Sequence, residues 1–209
     1  MGWKAAGILV NEREPGYLGM LPEHDSQAAR ELTQQLDLGP YRSLGLTTFD
    51  YGMYPERGHL VIGAYDGAAI VADQDRIFGA VTGANGRVVQ RVLQRFPAAE
   101  LLVIELHSVV NYFAYASYRH GELQRAYAGS ADDGVLVETG ELQPEEHDYF
   151  THSAVREGVR SFELDGETWT VDQVGDGLAF RMASRFLGQS MDECAREEVT
   201  VEEFVHPFT

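Results

Sequence analysis

Hydrophobicity alternates with a period of two through residues 112–118. Tyr112, Ala114, Ala116 and Tyr118 fall on one side, and Phe113, Tyr115 and Ser117 on the other. A strand sends successive side chains to opposite faces in this way, whereas a helix does not. The apolar run of residues 100–110 leads into this segment and can be continuous with it. Arg119-His120-Gly121-Glu122 supplies a turn and residues 123–128 run back. Asp133-Gly134 then turns the chain again, ahead of residues 135–138. Three antiparallel runs joined by short turns form a meander, and this excludes an all-helical fold.

The rest of the chain adds strands and helices without the regular strand–helix–strand rhythm of a parallel sheet. Residues 4–10 read as a buried strand, short, apolar and ended by Asn11-Glu12-Arg13-Glu14. Asp25 and Ser26 can cap a helix that runs to about residue 38, with Ala29, Leu32 and Leu36 on one side and Gly39-Pro40 at its end. Residues 44–49 form a short strand. Asp66-Gly67 lies between two apolar runs, residues 59–65 and 68–72, and reads as a hairpin, with a crossover between strands as the alternative. Val88, Val89, Val92, Leu93 and Phe96 make a helical stripe that Asn85 can cap and Pro97 stops. Asp165-Gly166 turns a second hairpin between residues 162–164 and 168–171. Residues 178–187 are helical, and residues 199–208 close as an extended tail. The expected class is α+β: a mainly antiparallel mixed sheet with about three helices, in a single domain spanning residues 1–209.

Charge narrows the function classes. Thirty-three acidic residues stand against 16 basic ones, a formal net charge of −17. Binding nucleic acid by neutralising phosphates needs the opposite balance, so nucleic acid is not an expected partner. The excess is uneven. Residues 1–129 carry −3 and residues 130–209 carry −14, so the C-terminal part holds nearly all of it. Its dense runs, residues 141–148 and 192–203, are either a solvated face or a docking surface for a basic partner. Lysine occurs once, at Lys4. The single cysteine, Cys194, excludes an internal disulfide and a cysteine-based metal cluster, and its acidic neighbours disfavour a reactive thiolate. The first residues do not form a secretory signal, and no apolar stretch approaches the length of a membrane span. A cytoplasmic protein with no membrane partner is expected.

The segment Leu106-His107-Ser108-Val109-Val110-Asn111-Tyr112-Phe113-Ala114-Tyr115-Ala116 is followed by Arg119-His120-Gly121-Glu122-Leu123 and by Asp132-Asp133-Gly134-Val135. This series resembles an uncharacterised family of bacterial proteins of unknown function. Gly140-Glu141, the stretch Gly63-Ala64-Tyr65-Asp66-Gly67 and the tail of residues 201–208 are similar as well. The resemblance implies a shared fold over most of the chain and supplies no activity and no catalytic residue.

Four groups of residues carry candidate chemistry. Asp73 and Asp75 end an apolar strand as Asp-x-Asp, two hard oxygen ligands that can hold magnesium or manganese beside a phosphate. The pattern looks like the first motif of haloacid-dehalogenase-type phosphatases. Arg76 and Ile77 depart from its continuation, however, and Lys4 lies on the wrong side to serve as its lysine. The plainer reading has Asp73 cap the following turn. Glu105 and His107, two apart on a strand, share a face and can act as ligands or as a general-base pair; the plainer reading is a half-buried polar pair. Glu145, Glu146, His147, Asp148 and His152 crowd one segment, but a spacing of five puts the two histidines off one helical face, so an exposed acidic loop is expected. Tyr51, Tyr54, Tyr112, Phe113, Tyr115 and Tyr118 form an aromatic group that suits either a sheet core or a binding surface. Walker, dinucleotide-binding and zinc-protease patterns are absent.

Two functions follow. The leading one is a non-enzymatic intracellular binding protein without a cofactor. Its acidic docking surface includes Glu145, Glu146, Asp148, Glu197 and Glu198 and meets a basic protein partner. The alternative is a hydrolase or transferase dependent on magnesium or manganese, with Asp73 and Asp75 as ligands and Glu105 and His107 as further ligand or base.

Overall fold

The computed structural model describes residues 3–156, 159–194 and 198–207. Its framework is a nine-stranded sheet. In chain order the strands are β1 (Lys4–Asn11), β2 (Arg42–Thr48), β3 (His59–Tyr65), β4 (Ala68–Ala72), β5 (Glu100–His107), β6 (Tyr112–Arg119), β7 (Glu122–Ser130), β8 (Gly134–Gly140) and, after a smaller sheet, β12 (Thr200–Val205). They lie side by side in the order β2-β12-β3-β4-β1-β5-β6-β7-β8, every neighbouring pair antiparallel. The sheet is therefore not mixed. The smaller sheet joins β9 (Ser153–Arg156), β10 (Val159–Leu164) and β11 (Glu167–Thr170).

The meander has four strands where the sequence reading had three runs. The long first run breaks at Ser108–Val110, a single 3-10 turn that ends in Asn111 with φ of 43°. Asparagine tolerates this left-handed conformation better than most residues do. The break lets β6 fold back on β5, with Leu106 opposite Phe113 and Glu100 opposite Arg119. The Asp66-Gly67 and Asp165-Gly166 turns form as expected, with Gly67 at φ of 72°.

Helices cover both faces. α1 (Ser26–Gln35) and α3 (Arg87–Arg95) pack Ala29, Leu32, Val88, Val89 and Val92 on the face that carries Ile8, Ile62, Val71 and Val103. Asp25 caps α1, its carboxylate accepting from the N–H groups of Gln27 and Ala28 at 2.8 and 2.9 Å. Asn85 does not cap α3: its side-chain amide donates instead to the Phe78 carbonyl at 2.7 Å, and Gly86 holds the cap position. The opposite face, with Leu9, Ile70, Leu102, Ile104 and Phe113, is covered by α5 (Val171–Leu187), which buries Val174, Leu178, Ala183 and Phe186. The helix α5 starts seven residues earlier than its apolar stripe announces. Thr170 and Gln173 form a capping box at its start, so Val171, expected in a strand, is helical. Two short helices, α2 (Phe49–Gly52) and α4 (His147–Thr151), bring the described helices to five.

The expected tail is a strand of the main sheet. β12 inserts between β2 and β3, with Glu202 opposite both Leu46 and Ile62. Among the described residues no helix is long and apolar enough to cross a membrane.

Candidate functional site

Asp73 leaves the end of β4 and folds the chain back on itself. Its Oδ1 accepts from the N–H groups of Asp75 and Arg76, both at 3.0 Å, and its Oδ2 pairs with the Arg76 guanidinium at 3.0 Å. Burial pushes this carboxyl upward; Arg76 and the two amides oppose the shift. Asp75 turns the other way, its Oδ2 accepting from the Gly58 N–H at 2.9 Å. Glu105 is fully buried on β5. It accepts from the Gly79 N–H at 2.7 Å, the Val81 N–H at 2.9 Å and the Tyr112 hydroxyl at 2.9 Å. Burial raises it too, against the same hydrogen bonds. The function of these two carboxylates is thus visible: between them they tie down the long turn that joins β4 to α3. His107 stands one face-repeat on from Glu105, between the rings of Tyr54 and Phe78 at 6.2 and 6.1 Å, with a buried Nδ1 that meets no partner. Among the described residues no three His, Cys, Asp or Glu side chains gather as metal ligands. Asp73, Asp75, Glu105 and His107 are not gathered into the magnesium or manganese centre of the alternative reading: Asp73 is taken by two backbone amides and Arg76, Asp75 by the Gly58 amide, and Glu105 by two backbone amides and the Tyr112 hydroxyl.

The acidic C-terminal candidates divide. Glu146 is fully buried and is not a surface charge at all. Its oxygens accept from Arg125 Nε at 2.9 and 3.2 Å, from the Tyr115 hydroxyl at 2.5 Å and from the Gln143 N–H at 2.7 Å. Arg125 itself is 2% exposed and lies 5.1 and 5.3 Å from the rings of Tyr127 and Phe150. The sequence expectation fails here because Glu146 closes the capping box of the turn at Pro144–Glu146, which aims its carboxylate inward. Glu145 is half-buried and lies 3.6 Å from Arg185. Asp148 and Glu198 are exposed. Glu197 lies outside the described residues. Of the aromatic group, Phe113 and Tyr115 are core, while Tyr51 is 78% exposed.

A further site was not singled out from sequence. A cleft of about 890 Å³ is bounded by the 3-10 turn at Tyr17–Met20, the segment that leads into α1, and the β3–β4 turn. His24 lines it. The His24 side chain is 3% exposed; its Nδ1 accepts from the Ala64 N–H at 3.3 Å, so Nε2 carries the proton. That Nε2 faces Glu202 Oε2 at 3.6 Å, and neither atom has a hydrogen-bond partner. Glu202 is 1% exposed. Burial pushes its carboxyl up, but the hydroxyls of Ser43 and Ser26, the charge of Arg30 and the His24 ring outweigh burial and hold it below the usual range. Ser43 donates at 2.5 Å, and Arg30 approaches to 3.5 Å with most of its side chain in solvent. The one sequence signal was a glutamate two positions before Phe204, the spacing that puts both on one face of a strand, inside a run that otherwise looks like solvated charge.

Residues 8–166 match the model of a family of unknown function. The chain belongs to that family, DUF6928, and the membership carries no activity. No curated protein and no solved structure matches the chain. The helix α5 and the strand β12, with Glu202, lie beyond the matched residues.

Proposed function

We propose that the protein is a binding protein that offers an acidic face to a basic protein partner. One observation carries this reading. Across the described residues from 130 onward, eleven acidic residues stand exposed, and the exposed arginines that offset them are Arg156 and Arg181. A field of one sign steers an oppositely charged partner and selects it more than it adds affinity. A recess of about 390 Å³ lies where α4, α5 and the β10–β11 hairpin meet. Asp148, Glu163 and Asp165 line it with His152, Arg181, Tyr149 and Leu164, so three acids outnumber one arginine around an apolar floor that suits the stem and charge of a basic side chain. The single cysteine suits a reducing compartment, and we infer a cytoplasmic protein built as one domain.

The test is affinity capture from the native host, in parallel with a variant carrying Asp148→Asn, Glu163→Gln and Asp165→Asn. The expected result is a discrete basic protein that wild type retains at low salt, high salt removes and the variant fails to retain. Capture that is empty, or identical for both chains, refutes the reading.

A further inference from the structure

The nine-stranded sheet ends in two edges, and they differ. β8 carries Glu138, which Arg160 holds, and Asp133 and Glu141 flank the strand. Charged side chains of this kind keep an edge from pairing with another chain. β2, at the other end, is not guarded in that way. It pairs with β12 on one side and turns a row of backbone N–H and C=O groups outward on the other. No proline lies within it, and no acid stands between Asp37 and Asp50, in a chain of net charge −17. Its exposed side chains are Arg42, Leu44 and Leu46, the leucines at 46% and 64%. Tyr51, also exposed, continues this apolar flank just beyond the strand. A bulge opposite Glu203 and Phe204 interrupts the strand near Leu44, where the Gly45 N–H turns back to the Ser43 hydroxyl at 3.2 Å. From Gly45 to Thr48 the pairing with β12 is regular. The pattern along the edge is self-complementary. Arg42 opens it, Asp50 follows its far end, and the two leucines lie between. An antiparallel copy laid alongside brings Arg42 of each chain to Asp50 of the other, whereas a parallel copy sets like charge against like.

We propose that β2 pairs with β2 of a second copy of this chain, antiparallel about a two-fold axis near Leu46, and so joins the two sheets into one. Leu46 meets its own counterpart across the axis, Leu44 lies beside Thr48, and Arg42 lies beside Asp50, each of these contacts made twice. The absence of acid along the strand is what lets two chains of the same strong charge approach on this side. The interface draws on residues 42–51 and not on the acidic face of residues 130–209, so each proposal stands or falls without the other.

The experiment measures the mass of the whole chain by sedimentation equilibrium over a concentration range of about 5 to 500 μM. Wild type is expected to pass from one chain mass to two with a Kd of about 100 μM or tighter. Leu46→Lys sets two like charges face to face and is expected to weaken the dimer about tenfold or more, with the Tm of the dilute protein unchanged. Leu123→Lys, on the exposed start of β7, is the control and is expected to leave association as it was. Arg42→Glu and Asp50→Lys are each expected to weaken association about threefold or more, and an equal mixture of the two variants to restore it, because each supplies the sign that the other has lost. The mixture reads the antiparallel pairing directly, since the fold of either variant alone has no part in the rescue. The proposal is overturned if wild type stays monomeric to the top of the range, if Leu123→Lys weakens association as much as Leu46→Lys, or if the mixture associates no better than the separate variants. A chain that stays monomeric but captures an extended peptide along β2 would likewise overturn it, in favour of a peptide as occupant.

Discussion

Replacing Glu146 with glutamine keeps the shape of the side chain and removes its charge. In the native protein the carboxylate answers three donors, and the guanidinium of Arg125 is 2% exposed behind it. Without Glu146 the nearest carboxylate is Glu138, 3.7 Å from Arg125 Nη2 and already shared with Arg160. Breaking a buried pair from one side costs about 3–5 kcal/mol, and the residual attraction of Glu138 places the loss near the lower end, about 3 kcal/mol. For a chain of this length that lowers Tm by roughly 6–12 °C. Urea unfolding at neutral pH, followed by circular dichroism, gives the loss from the midpoint at constant m. The double variant Arg125→Met with Glu146→Leu removes both charges and is expected to recover most of the stability, since apolar replacements of a buried pair are often neutral. If Glu146→Gln lies within about 0.5 kcal/mol of wild type, or the double variant is worse than the single one, the account of this pair is wrong.

Glu105→Gln is expected to cost about 1–3 kcal/mol and to speed hydrogen exchange at the Gly79 and Val81 amides, because one accepting oxygen becomes a donor facing a donor. Gly19→Ala is expected to destabilise by about 1–3 kcal/mol or more in thermal unfolding, since the new Cβ would lie 1.9 Å from the Leu187 carbonyl oxygen. A hydrogen bond from Arg185 holds Glu100 below its ordinary value of 4.5, with burial opposing and Arg119 assisting. Its stabilisation is therefore complete above that value and lost as pH falls through the lowered one. The gap in urea midpoint between wild type and Glu100→Gln should be constant near neutrality and close in acid. Magnesium and manganese are expected to leave Tm unchanged, and Asp73→Ala to lower stability by about 1 kcal/mol with or without them, as loss of a turn cap does.

Strand positions were legible wherever one face of the sheet sets a period of two and an Asp-Gly pair sets the turn, as at Asp66-Gly67 and Asp165-Gly166. The start of α5 was hidden because Thr168, Trp169 and Thr170 favour strands, while the capping box that begins the helix depends on Gln173. The role of Asp73 was legible as a local hydrogen-bond pattern. The role of Glu105 was legible only as polar and half-buried, because its partners lie on a turn more than twenty residues earlier. Glu146 and Glu202 were misread for one common reason. An acid in an acidic run looks solvated, and nothing local announces that Arg125, or Ser43 and His24, will be waiting for it across the fold.

β12 gives β2 its one strand neighbour in the sheet, and the hydrogen bond from Ser43 to Glu202 spans 159 positions of the chain. A ribosome therefore delivers β2 and α2 long before the strand that secures them. Until residues 200–205 emerge, β3 carries an open edge of Leu60 and Ile62, and β2 has nothing to pair with. Contacts of such long range close slowly, and open apolar edges invite pairing with other chains in the interval. Synthesis halted shortly before β12 therefore leaves β3 as an unpaired edge, open to pairing with other chains until the last strand closes it.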